Sequence, residues 1–328
     1  MKHLTFIAAV SCLALAFTSC KKEPGTGDNS YSIPNGVLLS SFYANQLTAN
    51  TQNFTVNATL GDTITGANGI KVVIAANSLY KNPTVLITGN VNVELIELYD
   101  RGMLATMNKG TMGYIEGEGL ITYNDTTEML VSGGMYYLNI TQNGAAVLAP
   151  TGVGVIMPVD NTGGADPTME QFDGVTAGDD MNWKPNLTGA VQVITDIDGV
   201  SYYLIVDNKW GWSAAARPHF APGAKTHIEA VMPTGFTPDN CELFISYEGI
   251  GVNLGSLDAF AAGAFTETHG LFPVGTPVNF IAIAVIDGEL HYAIQPAVLV
   301  EDHVQEFAAT QFNRTTQSSL RSIINDLP

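Results

Sequence analysis

Glu301, Asp302 and His303 are consecutive. Two carboxylates and an imidazole form a donor set that a divalent ion accepts. Asp173, Asp179 and Asp180 make a second acidic group with the oxygen chemistry that calcium prefers. A solvated strand end accounts for the first group and an ordinary acidic loop for the second, so the sequence predicts no dedicated metal centre. Asp196-Ile-Asp-Gly opens like a calcium loop but lacks the later ligands and the distal Glu, and a hairpin turn explains it. Glu94 with Glu97, and Glu116 with Glu118, are carboxylate pairs of the type that glycoside hydrolysis uses. Gly117 and Gly119 make the second pair read as a loop. Trp183, Trp210, Trp212 and Phe220 fall in or near loop-like segments. Exposed indole rings would stack on the C–H face of a sugar, with a carboxylate nearby to accept its hydroxyls; packing is the competing use of the same rings.

Other catalytic signatures are missing. The chain has no His-Glu-x-x-His motif, no Gly-x-Ser-x-Gly elbow, no P-loop and no dinucleotide fingerprint. His219, His227, His269, His291 and His303 show no ligand spacing among themselves. The expectation is a protein that is not an enzyme and needs no cofactor.

One residue does carry a covalent expectation. Leu4 to Phe17 is an almost unbroken apolar run that closes on Ser19-Cys20. The run is too short to span a bilayer and fits a secretory signal. A cysteine after a small residue resembles a bacterial lipobox, with cleavage before Cys20 and lipidation of its thiol. One acyl chain holds a protein only marginally, so stable anchoring requires the several chains such a cysteine carries. Pro24 to Ser30 has linker composition. Cys12 leaves with the signal, so Cys241 has no internal partner; before Glu-Leu-Phe-Ile it reads as a buried apolar filler.

The formal net charge is −18, yet only 13% of residues are charged and 46% are hydrophobic. Such a body repels nucleic acid and anionic headgroups, which excludes both as its partners. The membrane enters only through the N-terminal lipid.

The elements that must position these residues are mainly strands. Phe54 to Thr59 alternates, Ile70 to Ala75 is β-branched behind Asn68-Gly69, and Val85 to Tyr99 reads as one long strand with a bend at Gly89. Asn143-Gly144, Asp198-Gly199 and Asp287-Gly288 read as hairpin turns. Asn161 to Met181 is rich in Gly and Asp and reads as a connection between domains, while 211–223 and 253–275 look irregular. Only the end looks helical, with Leu320, Ile323, Ile324 and Leu327 on one face.

Several of these segments carry a family resemblance. Val72-Val-Ile-Ala-Ala-Asn-Ser-Leu, Val91-Asn-Val-Glu-Leu-Ile-Glu-Leu-Tyr-Asp-Arg-Gly-Met-Leu, Ser132-Gly-Gly-Met-Tyr and Thr141-Gln-Asn-Gly resemble a ZU5-like β-sandwich domain of Bacteroidota lipoproteins. Trp183, Gly211-Trp212, Phe272-Pro-Val-Gly and Ile324-Asn-Asp-Leu-Pro are similar to the second half of such proteins. The resemblance implies a fold more than an activity. Some ZU5-containing proteins cut themselves at a Phe-Ser bond; this chain has no such pair, and Ala221 follows His219-Phe220.

The resulting expectation is an all-β chain of two tandem β-sandwich-like domains with a short C-terminal helix. Residues 1–19 form the signal peptide, 20–50 the lipidated cysteine and linker, 51–160 the ZU5-like domain, 161–185 the connection, and 186–328 the second β-domain. The function expected is that of a lipid-anchored, non-catalytic structural or protein-interaction module of the outer membrane, facing the periplasm or the cell surface, with an envelope protein or a glycan as its partner. The alternative is a surface glycan-binding lipoprotein using Trp210 and Trp212.

Overall fold

A computed structural model of the protein describes residues 31–115, 126–177, 180–267 and 271–328. Strands account for 49% of the described residues and helices for 13%. Three α-helices lie among the described residues: α1 (Gly36–Asn50), α2 (Arg101–Thr106) and α3 (Gln317–Asn325).

Two face-to-face sheets begin the fold. Their strands are β1 (Gln52–Asn57), β2 (Asp62–Thr65), β3 (Lys71–Ile74), β4 (Asn90–Leu98), β5 (Met112–Ile115), β6 (Thr126–Gln142), β7 (Val153–Pro158), β8 (Glu170–Ala177), β9 (Asp180–Pro185), β10 (Val191–Thr195), β11 (Ser201–Asp207) and β12 (Gly211–Pro218). Among the described residues one sheet runs β1-β4-β6-β12-β8-β9-β5 and the other β10-β11-β7-β3-β2. β5 also pairs with β6, so the far end of the larger sheet curls back on itself. Alternating side chains of both sheets meet between them: Val91, Val93, Leu95, Tyr136 and Leu138 from one, Val72, Val155, Tyr203 and Ile205 from the other. A period-2 strand with one apolar face explains this layer.

The larger sheet is buried on its second face as well. Ile96, Leu98, Leu130, Phe172 and Trp183 pack there against Leu39 and Tyr43 of α1, Leu104 of α2, and Leu320 and Ile324 of α3. The next sheet supplies Phe244, Ile281, Ile283 and Val285 to the same core. Its main strands follow β13 (Ile228–Val231) in the chain: β14 (Cys241–Tyr247), β15 (Pro277–Ile286) and β16 (Glu289–Val298). The opposite side of that sheet, with Leu243, Ile245, Phe280 and Ala282, packs on a fourth layer that pairs β13 in parallel with β17 (His303–Glu306). Phe280 to Val285 is therefore buried without interruption, because its strand has a core on each face. Ile33–Pro328 is one compact unit.

The all-β class with a C-terminal helix matches the expectation; the internal boundaries do not. The span read as a connection, 161–185, contributes β8 and β9 to the larger sheet, and β10, β11 and β12 complete the first two sheets from beyond residue 186. Gly163-Gly164 and Asp166 lie in the crossover from β7 of the smaller sheet to β8 of the larger, and Asp173-Gly174 lie within β8 itself. Gly211–Gly223, read as irregular, contains a central strand whose Ser213, Ala214, Ala215 and Ala216 are all buried. The long strand Val85–Tyr99 is divided into Val85–Leu86 and Asn90–Leu98, with Gly89 at φ +78° between them. Residues 36–50, read as linker, form α1. The signal peptide, Cys20 and the Pro24–Ser30 linker lie outside the described residues, as do Asp179, Glu116, Glu118 and His269.

Candidate functional site

The expected aromatic platform is not formed. Trp183 is fully buried in the curled end of the larger sheet, where its Nε1 donates to the Gly110 carbonyl at 2.8 Å. Trp210 packs on the first core and donates to the Val147 carbonyl. Trp212 packs on the second core, 5.5 Å from the Tyr137 ring, with Lys109 Nζ 5.9 Å above it. The two neighbouring tryptophans thus serve opposite sides of one sheet and share no face.

The acidic candidates are not gathered either. Asp173 accepts from Asn186 at 2.9 Å and pairs with Lys209 at 2.8 Å. The Asp180 backbone pairs with Ala177. Glu301 and Asp302 are exposed in a turn, and the Asp302 N–H donates to Thr226 Oγ1. His303 turns inward and stacks on Phe280 at 5.7 Å, its ring nitrogens without a hydrogen-bond partner. Among the described residues no three His, Cys, Asp or Glu side chains are placed to share a metal ion. Glu94 and Glu97 are separately employed. Glu94 accepts from Asn139 at 2.8 Å, and Glu97 accepts from the backbone of Asn68 and Ile70.

What the fold does assemble is a polar cleft. Two adjoining cavities of about 390 and 510 Å³ share Thr162, Gly163, Gly249 and Gly251. A wider groove beside the start of α1 has Asp239 as its one ionisable lining group, so the cleft is the chemically richer place.

Two loops frame it. The first is a 3₁₀ turn, Asp160–Thr162, ended by Gly163 at φ +93°. It is tied to the smaller sheet by Asn161, whose Nδ2 donates to the Asn68 carbonyl at 2.9 Å. The second follows β14 and is cinched by the buried Asn253. That side chain donates to the carbonyls of Tyr247 and Gly251 at 3.0 and 3.1 Å and accepts from the Tyr247 N–H at 2.6 Å. A short amide closing its own loop in this way needs no other partner.

Asp166 and Arg217 form the polar wall. Arg217 Nε donates to Asp166 Oδ2 at 2.7 Å, and Thr168 donates to Oδ1 through its hydroxyl at 2.6 Å and its N–H at 2.9 Å. These bonds, the Thr168 hydroxyl foremost, hold the Asp166 carboxyl below its usual range. The Tyr203 hydroxyl accepts from the Asp166 N–H at 2.7 Å, which fixes this wall to the first core. His219 continues from β12, its ring edge-on to Tyr247 at 5.7 Å. Burial, then the charges of Arg217 and Lys225, lower its basicity, so the imidazole is neutral near pH 7.

At the other end, Arg101 is committed to structure: it donates to the Pro328 carbonyl at 2.9 Å, to Ser246 at 3.3 Å and to the Leu327 carbonyl. Asn325 accepts from the Gly102 N–H at 2.7 Å. Tyr99 is buried in the cleft wall, with the Asn161 side chain beside its hydroxyl.

Sequence reasoning missed these residues. Gly163-Gly164 and Asp166-Pro167 were readable as turn chemistry but pointed to a connection between domains. Arg217 and His219 sit in the 211–223 stretch, which reads as irregular in the sequence. The signal that joins them is strand pairing, which brings residues 162, 217 and 249 together and leaves no mark in local composition. No protein-family model matches the chain, and no curated protein is significantly similar to it.

Proposed function

We propose that this protein is a lipid-anchored, non-catalytic module of the bacterial outer membrane that binds another envelope component. The observation that carries the non-catalytic reading is the employment of the buried carboxylates. Glu97 accepts backbone N–H groups, Asp207 accepts from the Tyr136 hydroxyl at 2.8 Å, and Glu128 pairs with Lys225. Each is engaged in holding strands or turns together, which leaves it poorly placed to act as an acid or base on a substrate. The apolar run ending in Ser19-Cys20 supports anchoring, and the strand and turn resemblance to ZU5-like lipoprotein domains supports an envelope role.

The test is metabolic labelling with a fatty-acid analogue, followed by membrane fractionation of wild type and Cys20→Ala. Wild type is expected labelled and membrane-bound, and Cys20→Ala unlabelled and released. Wild-type protein that stays unlabelled and soluble would overturn the anchored reading. A non-permeant protease added to intact cells then distinguishes a surface-facing from a periplasmic body.

A further inference from the structure

We infer that the cleft between the 160–166 and 249–251 loops binds a neutral polyhydroxyl ligand of the saccharide class through Arg217, His219 and Asn325. The inference stands on the cleft and is independent of anchoring.

The first warrant is unused hydrogen-bonding capacity. Arg217 employs only Nε within the described residues, so both Nη atoms are available as coplanar donors. The His219 ring makes an aromatic contact and no hydrogen bond among those residues. Asn325 uses its Oδ1 on Gly102 and leaves its Nδ2 donors unused there. A guanidinium edge matches two adjacent hydroxyls, a neutral imidazole offers one donor and one acceptor, and an amide adds donors. Adjacent hydroxyls, each both donor and acceptor, fit that mixture.

The second warrant is charge. Asp166 cancels Arg217, and Arg101 is spent on backbone carbonyls with Glu248 close enough to act on it. His219 is uncharged at neutral pH. The cleft therefore has no excess positive charge with which to draw an anion towards a chain of net charge −18. A cation finds no open carboxylate at Asp166, whose oxygens are already occupied by Thr168 and Arg217, and Asp100, which also lines the cleft, caps α2 by accepting from the Met103 N–H at 2.7 Å.

Shape is the third warrant. A Cβ added at Gly163, Gly164 or Gly249 would meet nothing within 4 Å, so these glycines leave open space along the cleft. Each cavity falls in the range of small-molecule sites, roughly 300–1,000 Å³, and the two adjoin, which accommodates a short oligosaccharide. Val131, Met169, Ile250 and Val252 give apolar surface for the C–H faces of sugar rings.

The full chain is titrated with maltohexaose, cellohexaose, chitohexaose and polygalacturonate by saturation-transfer NMR. Three variants remove the unused polar atoms: Arg217→Lys loses both Nη atoms and replaces the Nε bond by an ammonium opposite Asp166, His219→Phe retains the ring against Tyr247, and Asn325→Asp retains the acceptor for Gly102. At least one neutral oligosaccharide is expected to give saturable transfer, and each variant to weaken it about tenfold, the effect of one well-placed hydrogen bond with a charged or buried partner. Thermal melts are expected to remain unchanged. Absence of transfer from all three neutral probes would overturn the inference. So would binding of polygalacturonate alone, or neutral-sugar binding that the three variants leave intact.

Discussion

Glu97 concentrates the physics of this molecule in one side chain. It is 1% exposed on β4, and its carboxylate is held by the N–H groups of Asn68 and Ile70 at the turn into β3. Burial disfavours the charged form more than those N–H groups favour it, so its pKa rises above the ordinary 4.5. An acid raised in the folded state holds its proton more firmly there than in the unfolded chain. Its contribution to stability is complete below 4.5 and is lost as the pH climbs through the folded-state value. Asp207, raised by burial from 3.8, acts in the same direction. His219 acts oppositely, since folding keeps its ring neutral, and Asp166 loses its contribution only below 3.8. The clean observable is therefore a difference. As the pH falls from 7 to 5, urea midpoints of the wild type should rise relative to those of Glu97→Gln. Parallel profiles for the two proteins would show that burial does not control this carboxyl. Residue types alone suggested Glu97 as half of a catalytic pair; only pairing of β1 with β4 and the return of the 66–70 turn reveal that it is a buried strut.

At the scale of elements, what could be read depended on how many faces an element buries. The turns at Asn143-Gly144 and Asp287-Gly288 were legible because a two-residue hairpin demands positive φ at both positions, here +52° and +78°, then +52° and +81°. α3 was legible because Leu320 and Ile324 mark one face. β12 was not, because its alanine run is buried on both sides and has no alternation. α1 was hidden differently: its buried face is Leu39, Tyr43 and Gln46, while Val37 and Leu38 at its start are 77% and 41% exposed. The apolar pattern thus misstates the packed face, and docking decides the helix. Asn35 caps it, accepting from the Leu38 N–H at 3.1 Å and donating its own N–H to the Val285 carbonyl at 2.7 Å. At Gly36 a Cβ would lie 1.9 Å from the Asp239 carbonyl oxygen, a contact with backbone that cannot yield. Gly36→Ala should therefore destabilise the protein by about 1–3 kcal/mol, as forced overpacking does, despite alanine's better helix propensity. Chemical denaturation measures this. A stabilised variant would mean that α1 is held by its own propensity instead of by its seat.

At the scale of the whole molecule, the expected pair of tandem domains gives way to interleaved layers. The second core has no owner: Leu98, Phe172 and Trp183 come from the larger sheet, Phe244, Ile281 and Ile283 from the next, and Leu320 from the last helix. Removing either half would expose the apolar surface of the other, which couples their unfolding. Composition could not reveal this, because a glycine-rich crossover between two packed sheets of one body resembles a linker between two domains. The consequence is measurable. The three tryptophans report on the first two sheets, whereas amide exchange in β15 and β16 reports on the third. Both should be lost in one transition, and Leu98→Ala, which opens a cavity in the shared core, should lower both midpoints together by an amount corresponding to about 2–5 kcal/mol. If the tryptophan signal shifted while β15 and β16 kept their wild-type protection, the layers would be energetically separate. The cleft between loops 160–166 and 249–251 would then join two independent bodies. With a single transition, the cleft is preorganised by the same core that holds the sheets, and its polar wall needs no ligand to bring Arg217, His219 and Asn325 into place.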